Sequence, residues 1–360
     1  MHMKGDSMID LRSDTVTRPT EAMLESMREA SFGDDSRDGD ETVRALEALA
    51  AERMGKEAAA FMPSGTMTNL VAILAHTPRG GEVLLEAGAH ILNSELGGIT
   101  GVAGAFYKGI PGSRGAMDLD RLTDAIRKTG RSAFGTGLVA METSHNRAGG
   151  AVLPLAHMEA VYRAASSRGV PVHIDGARIF NAAVALGTDA QSLAAHTDSI
   201  CFCVSKGLSA PIGSLLCGSA AFIERARAFR RMVGGNMRQA GPLAAAGIVA
   251  LNTMVARLRE DHATAQRLAL GLAAIDARMV DPAEVETNLV KVELPHEGRT
   301  AAQWSESLAA AGIRVSPCER HALRFVTHRH IGDGDIDATL NAFGKLWRAS
   351  ASPRETPQLH

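Results

Sequence analysis

The sequence predicts an α/β protein: a large domain on a mostly parallel sheet, followed by a smaller C-terminal α+β domain. Three observations carry that expectation. Apolar runs rich in Val, Ile and Leu alternate with helical patterns as far as about residue 235, as strands do when helices cover both faces of a parallel sheet. At 360 residues the chain exceeds the size at which one core stops growing. Towards the C-terminus the order changes, with short strand-like runs grouped around two helices.

The large domain is expected over 8–238. Its strands read as "EAAAFM" (57–62), "EVLLEA" (82–87), "GAFYKG" (104–109), "TGLVAMET" (136–143), "VPVHID" (170–175), "DSICFCVS" (198–205) and "GSLLCG" (213–218). Helical spacing appears between them over 66–76, 119–128, 155–167, 177–186 and 220–232. The Ala- and Leu-rich stretch 239–275 reads as a helix bridging two domains. A small domain over 276–349 follows, with "TNLVKVEL", "GIRVSP" and "ALRFVTH", a helix over 301–311 and another over 336–348. The tail 350–360 has little to bury and reads as mobile. The opening "MHMKGDS" reads as foreign to the fold, because "MIDLRSD" from Met8 looks like a natural beginning.

A net charge of −2 with no Lys/Arg run leaves no electrostatic footprint for nucleic acid or an anionic membrane. The expected partner is a small molecule. No apolar run reaches the roughly 18 residues that span a bilayer, and the start lacks a hydrophobic signal core, so a cytoplasmic protein is expected. Four cysteines are too few for a disulfide framework. Cys201 and Cys203 read as buried structural thiols, and "THRHIGDGD", with His328 and His330, lacks further ligands in register; no metal is expected. "GGITGVAG" and "GGNMRQAG" lack the glycine order of a dinucleotide turn, which disfavours a Rossmann dehydrogenase.

The chemistry gathers around "CFCVSKGLSAPIGSLLCG". Lys206 lies in a Gly- and Ser-rich turn between two buried-looking strands, where loss of water disfavours its charged form and favours a nucleophilic amine. From this window it reads either as an ordinary turn lysine or as a Schiff-base lysine. Asp175 ends the preceding strand, and ligands of open α/β sheets bind along that C-terminal edge. "FMPSGTMTNLVA" runs strand, turn, helix; its Gly65 and Thr66 N–H groups are either a plain helix start or a phosphate cradle. An amine for an aldehyde, an acid for a pyridine nitrogen and a phosphate site together match the three handles of pyridoxal phosphate.

"DLRSDTVTRPTEAML", "GKEAAAFMPSGTMTNLVA", "HIDGARIFNA", "SKGLSAPIGSLLCG", "GGNMRQAGPLAAAGIVAL" and "LRFVTH" resemble, in order and over nearly the whole chain, the low-specificity L-threonine aldolases. These are β-eliminating lyases of the fold-type I, aspartate-aminotransferase-like, pyridoxal-phosphate enzymes. The resemblance implies that Lys206 forms the Schiff base, that Gly65 and Thr66 hold the phosphate, and that Asp175 keeps the pyridine nitrogen protonated. It implies that His90 stacks on the cofactor ring, that His145 is a second active-site histidine, and that Ser13, Arg178 and Arg324 hold the substrate carboxylate, with Arg178 also lining the cofactor site. Arg231 and Arg238 match positions that reach the phosphate of a neighbouring subunit, which implies a dimer or tetramer with shared active sites. His173 reads as structural.

The reaction this implies cleaves the Cα–Cβ bond of a β-hydroxy-α-amino acid to glycine and an aldehyde. His90, or a water held by His145, is the candidate base, and the sequence does not choose between them. A racemase or β-eliminase on the same scaffold is the nearest alternative, and a non-catalytic pyridoxal-phosphate-binding regulator a more distant one. Two segments depart from the family pattern: "SRDGDETV", with Arg37 and Asp38 near a usual aromatic, and "HILNSELGG", with Asn93 and Ser94. They direct attention to the β-substituent.

Overall fold

The computed structural model describes residues 8–35, 37–130, 134–295 and 298–351. The opening heptapeptide and 352–360 of the expected mobile tail lie outside the described residues. By contact the chain divides into two units: Thr17–Arg259, and Met1–Val16 together with Glu260–His360.

The larger unit is built on seven strands: β1 (Ala58–Met62), β2 (Glu82–Glu86), β3 (Phe106–Ile110), β4 (Thr136–Glu142), β5 (Val172–Asp175), β6 (Ser199–Cys203) and β7 (Ser214–Gly218). They pair in the order β1-β7-β6-β5-β4-β2-β3, so every strand read for the large domain enters one sheet. β7 runs antiparallel to both of its neighbours. The others pair in parallel from β6 across to β3. β2, β6 and β7 are buried along their whole length, as expected of strands covered on both faces.

Helices α1 (Glu21–Glu29), α2 (Glu41–Met54), α3 (Gly65–His76), α4 (Leu155–Ser166), α5 (Ile179–Leu186), α6 (Ala220–Met232) and α7 (Gly241–Thr253) provide the cover. α3 begins where Ser64 accepts a hydrogen bond from the Met67 N–H, an N-cap of the expected kind. The helix expected over 119–128 stops at Ala125. There the Arg127 N–H turns to the Thr136 hydroxyl and its carbonyl accepts from the Thr136 N–H, which draws the chain into β4.

The stretch read as one bridging helix, 239–275, is two: α7, and α8 (Leu258–Ile275). Ala244, Ala250 and Leu251 of α7 join the core of the larger unit, while Ala265, Leu268 and Leu272 of α8 join that of the smaller one. The smaller unit also claims the start of the chain. Ile9 and Asp10 pair in parallel with Ile313 and Arg314, and the Val326 N–H donates to the Leu11 carbonyl. Its sheet, in the order β8-β10-β9, comprises β8 (Leu289–Glu293), β9 (Ser316–Glu319) and β10 (Ala322–Val326). Helices α9 (Ala301–Ala310) and α10 (Asp333–Ala351) accompany it, and Trp304, Phe325, Phe343 and Trp347 fill its core. Trp304 stacks on Phe343 with ring centroids 5.0 Å apart.

Candidate active site

The C-terminal ends of the parallel strands converge as charge. β2 ends in Glu86, β4 in Glu142 and β5 in Asp175, and in register Asp175 lies beside Glu142 on one side and Cys201 of β6 on the other. Asp175 is buried; its Oδ1 accepts from the Ala177 N–H (3.1 Å) and its Oδ2 from the Asn69 amide (2.9 Å). Three residues further on, Arg178 is buried at the entry to α5.

β6 leads directly into the Lys206 turn, and the structure explains how this turn is held. The Lys206 carbonyl accepts from the Ser209 N–H (2.8 Å) and from the Thr17 hydroxyl (2.8 Å). Its side-chain amine has no hydrogen bond to protein among the described residues. Ser209 is fully buried at φ 66, and its hydroxyl has no partner among the described residues. A left-handed non-glycine residue costs about 1–2 kcal/mol, and such outliers gather at functional sites. Ser209→Gly should therefore raise stability by roughly 1 kcal/mol, read as a higher urea midpoint at unchanged slope. An unchanged or lower midpoint would show that the turn carries no such strain.

The α3 N-terminus is set against the same strand. A Cβ on Gly65 would lie 2.9 Å from Cys203 Sγ, so only glycine lets the helix start approach the end of β6. Gly65 and Thr66 begin α3, where backbone N–H groups have no intrahelical partner and favour an anion. A helix start with anion-favouring N–H groups, a carboxylate at a strand end and an amine in the next strand-end turn thus come from adjacent elements of one sheet edge. These residues fit pyridoxal phosphate.

Two histidines complete the edge. His90 Nδ1 bonds Glu95 Oε1 (2.9 Å), and its backbone N–H donates to Glu142 Oε2 (2.6 Å). The bond to Glu95 raises the His90 pKa, outweighing its partial burial. His145 is buried and uses both ring nitrogens: Nε2 faces Glu86 Oε2 at 3.1 Å and Nδ1 accepts from the Ala148 N–H at 3.1 Å. Burial disfavours its charge, but Glu86 and Glu142 more than compensate and raise its pKa. Burial pushes the Glu142 and Glu95 carboxyls up, and the Asp175 charge adds to this.

The resemblance also singles out Ser13, Arg324, Arg231 and Arg238. Ser13 and Arg324 belong to the smaller unit, where Arg324 Nη2 donates to the carbonyl of Arg12, next to Ser13. Arg231 and Arg238 are exposed, and Arg238 lies 3.5 Å from Asp34. Their neighbour Arg230 is buried and bonded to Asp35 and to the Phe61 carbonyl. Of the departures from the family pattern, Asn93 ties its side chain to the Ala87 and Ala89 carbonyls, while Ser94 and Arg37 are exposed.

Glu86, Glu95, Glu142 and Asn69 were not singled out in the sequence. Glu86 and Glu142 carried a usable signal, since each closes an apolar strand run just as Asp175 does. Asn69 had none, being one polar residue inside a helical pattern.

The profile of the Beta-eliminating lyase family matches residues 10–295. The chain is 41% identical over 353 residues to "Low-specificity L-threonine aldolase 1" of Arabidopsis thaliana, covering 97% of this chain and 99% of that one. It is 42% identical over 322 residues to "Low specificity L-threonine aldolase" of Escherichia coli (strain K12), covering 89% and 94%. The solved threonine aldolase of Leishmania major superposes with a TM-score of 0.80 at 16% identity, covering 94% of this chain and 99% of that one, a likeness of fold. With nearly full-length relatives on one side and a sheet edge fitted to pyridoxal phosphate on the other, the chain belongs to the β-eliminating lyases, among the low-specificity L-threonine aldolases.

Proposed function

We propose that the chain cleaves the Cα–Cβ bond of L-threonine, L-allo-threonine and related β-hydroxy-α-amino acids, releasing glycine and an aldehyde. The observation that carries this reading is the shared sheet edge: Asp175 beside β6, Lys206 in the turn after β6, and Gly65 packed on Cys203. When bound, pyridoxal phosphate supplies an electron sink for the bond that breaks at Cα. Lys206 would anchor it, Asp175 would take its pyridine nitrogen, the Gly65 and Thr66 N–H groups its phosphate, and His90 would line its ring. Arg178 would hold the substrate carboxylate and thereby select which Cα bond is oriented for cleavage.

Of the two histidines, geometry favours His90 as the base. Its Nδ1 is committed to Glu95 and its Nε2 has no hydrogen bond to protein among the described residues, whereas both nitrogens of His145 are taken. An Nδ1–H held by a carboxylate leaves Nε2 as the acceptor for the β-hydroxyl proton. His145, with Glu86 and Glu142, then fixes the wall behind it.

Arg231 and Arg238, exposed on one chain, are assigned to the phosphate of a second copy, which makes the active form at least a dimer with shared sites. The exposed apolar side chains of Phe32, Leu96 and Met232 support that association. Ser94 and Arg37, standing where aromatic residues are usual, favour a larger or more polar β-substituent over the methyl of threonine.

Kinetics with L-threonine, L-allo-threonine, phenylserine and hydroxylated analogues, assayed for both aldehyde and glycine, test the proposal. Threonine is expected to react, with a higher kcat/KM for a larger or more polar analogue. A preference for threonine over every analogue would refute the specificity, and formation of only racemised amino acid or keto acid would refute the aldolase reaction.

A further inference from the structure

Behind the sheet edge runs a chain of polar side chains, all buried except the half-buried His76, that takes no part in the proposed reaction. Asn69, on α3, is buried and has every side-chain polar atom engaged. Its Nδ2 donates to Glu95 Oε1 at 2.8 Å and to Asp175 Oδ2 at 2.9 Å. Its Oδ1 lies 3.2 Å from His173 Nε2 and 3.1 Å from Cys201 Sγ. The amide has only one sensible orientation, because reversing it would set an oxygen against two carboxylates.

That orientation fixes the protons behind it. His173 must carry its proton on Nε2, so its Nδ1 accepts from the Ser199 hydroxyl (2.9 Å), and Ser199 Oγ in turn accepts from His76 Nε2 (2.8 Å). Burial draws the His76 pKa down to about 3 and that of His173 to about 4, in keeping with one proton on each ring. His76 is held by stacking on Phe222 with centroids 4.2 Å apart. Every donor in the series points towards Asp175 and Glu95, an arrangement in which each bond polarises the next.

We propose that Asn69 is the positioning residue of this active centre, tying the carboxylate that faces the pyridine nitrogen and the Glu95–His90 pair into one hydrogen-bonded unit aligned from behind by His173, Ser199 and His76. The inference rests on the assignment of Asp175 to the pyridine nitrogen. His90, Glu95 and Asp175 bring ligand atoms within 4.8 Å of one another, so the two carboxylates repel unless a donor stands between them. The two N–H bonds of Asn69 supply it. Without them one carboxylate takes a proton or rotates away, and the cofactor contact and the base are disturbed together.

The test is Asn69→Asp, which keeps the volume and exchanges the NH₂ for oxygen. An ionised aspartate adds a third carboxylate, whereas a protonated one regains a single O–H donor. Full-length protein stripped of cofactor and titrated with pyridoxal phosphate, followed by visible absorbance, should show the variant about tenfold or more weaker at about pH 8.5. The deficit relative to wild type should shrink by about pH 6.5, a recovery that loss of packing alone does not produce. An affinity within about twofold of wild type at both pH values, or the same deficit at both, overturns the inference.

Should Asn69→Asp fail to fold, His173→Phe removes the donor to Asn69 Oδ1 and no hydrogen bond to either carboxylate. It should weaken cofactor binding by about threefold, and wild-type affinity would overturn the inference. Asp175→Asn separates the two assignments. If it binds the cofactor as wild type does, the role of Asp175 falls; if it binds weakly while Asn69→Asp matches wild type, only the role of Asn69 falls.

Discussion

Lys206→Ala should abolish the visible absorbance that pyridoxal phosphate shows when linked to a lysine, and lower turnover by on the order of 10⁴-fold or more. The structure makes this a clean experiment. The turn is held by the Lys206 backbone carbonyl, through Ser209 and Thr17, so removing the side chain leaves both bonds in place. Thermal stability of the variant without cofactor should match that of wild type stripped of cofactor. Retention of the lysine-linked spectrum would mean that another amine carries the cofactor.

The second large effect is expected at Asp175. Asp175→Asn removes the charge proposed to serve the pyridine nitrogen, and kcat should fall by roughly 10²–10³-fold. The fold should pay less heed. Both carboxylate oxygens accept hydrogen bonds, from the Ala177 N–H and the Asn69 amide, and an asparagine can satisfy only one of these donors. One lost bond of this kind costs about 1–3 kcal/mol, visible as a lower unfolding midpoint but not as an unfolded protein. Unchanged turnover would remove Asp175 from the site, and collapse of the fold would show its role to be structural.

Much of this architecture was legible because burial on both faces writes itself into the sequence as continuous apolar runs. All seven strands of the large sheet announced themselves in that way. So did Asp175 and Lys206, as charges placed where such runs end. The reversal of β7 was less visible, although only ten residues separate it from β6 (204–213), too few for a parallel crossover through a helix.

Long-range pairing is what local pattern does not contain. Nothing in "MIDLRSD" says that Ile9 and Asp10 will pair with Ile313 and Arg314, and so group by contact with the C-terminal residues. The same holds for Asn69. Its importance arises from Glu95, Asp175, His173 and Cys201, which converge on it from separate stretches of sequence. By contrast, Gly65 could be read as a turn glycine, but the reason that no side chain fits there is Cys203, a contact only the fold creates.

The aromatic cluster of the smaller unit gives the chain a division of optical labour. Both of its tryptophans, Trp304 and Trp347, are buried in that core, and the larger unit has none. Intrinsic indole emission therefore follows the smaller unit alone, while the colour of pyridoxal phosphate held, as proposed, by Lys206 would follow the larger. In a denaturant series the two signals watch different halves of the same polypeptide. Coincident curves would mean that the halves melt as one cooperative body, and separated curves would order their loss, without a label being attached to either.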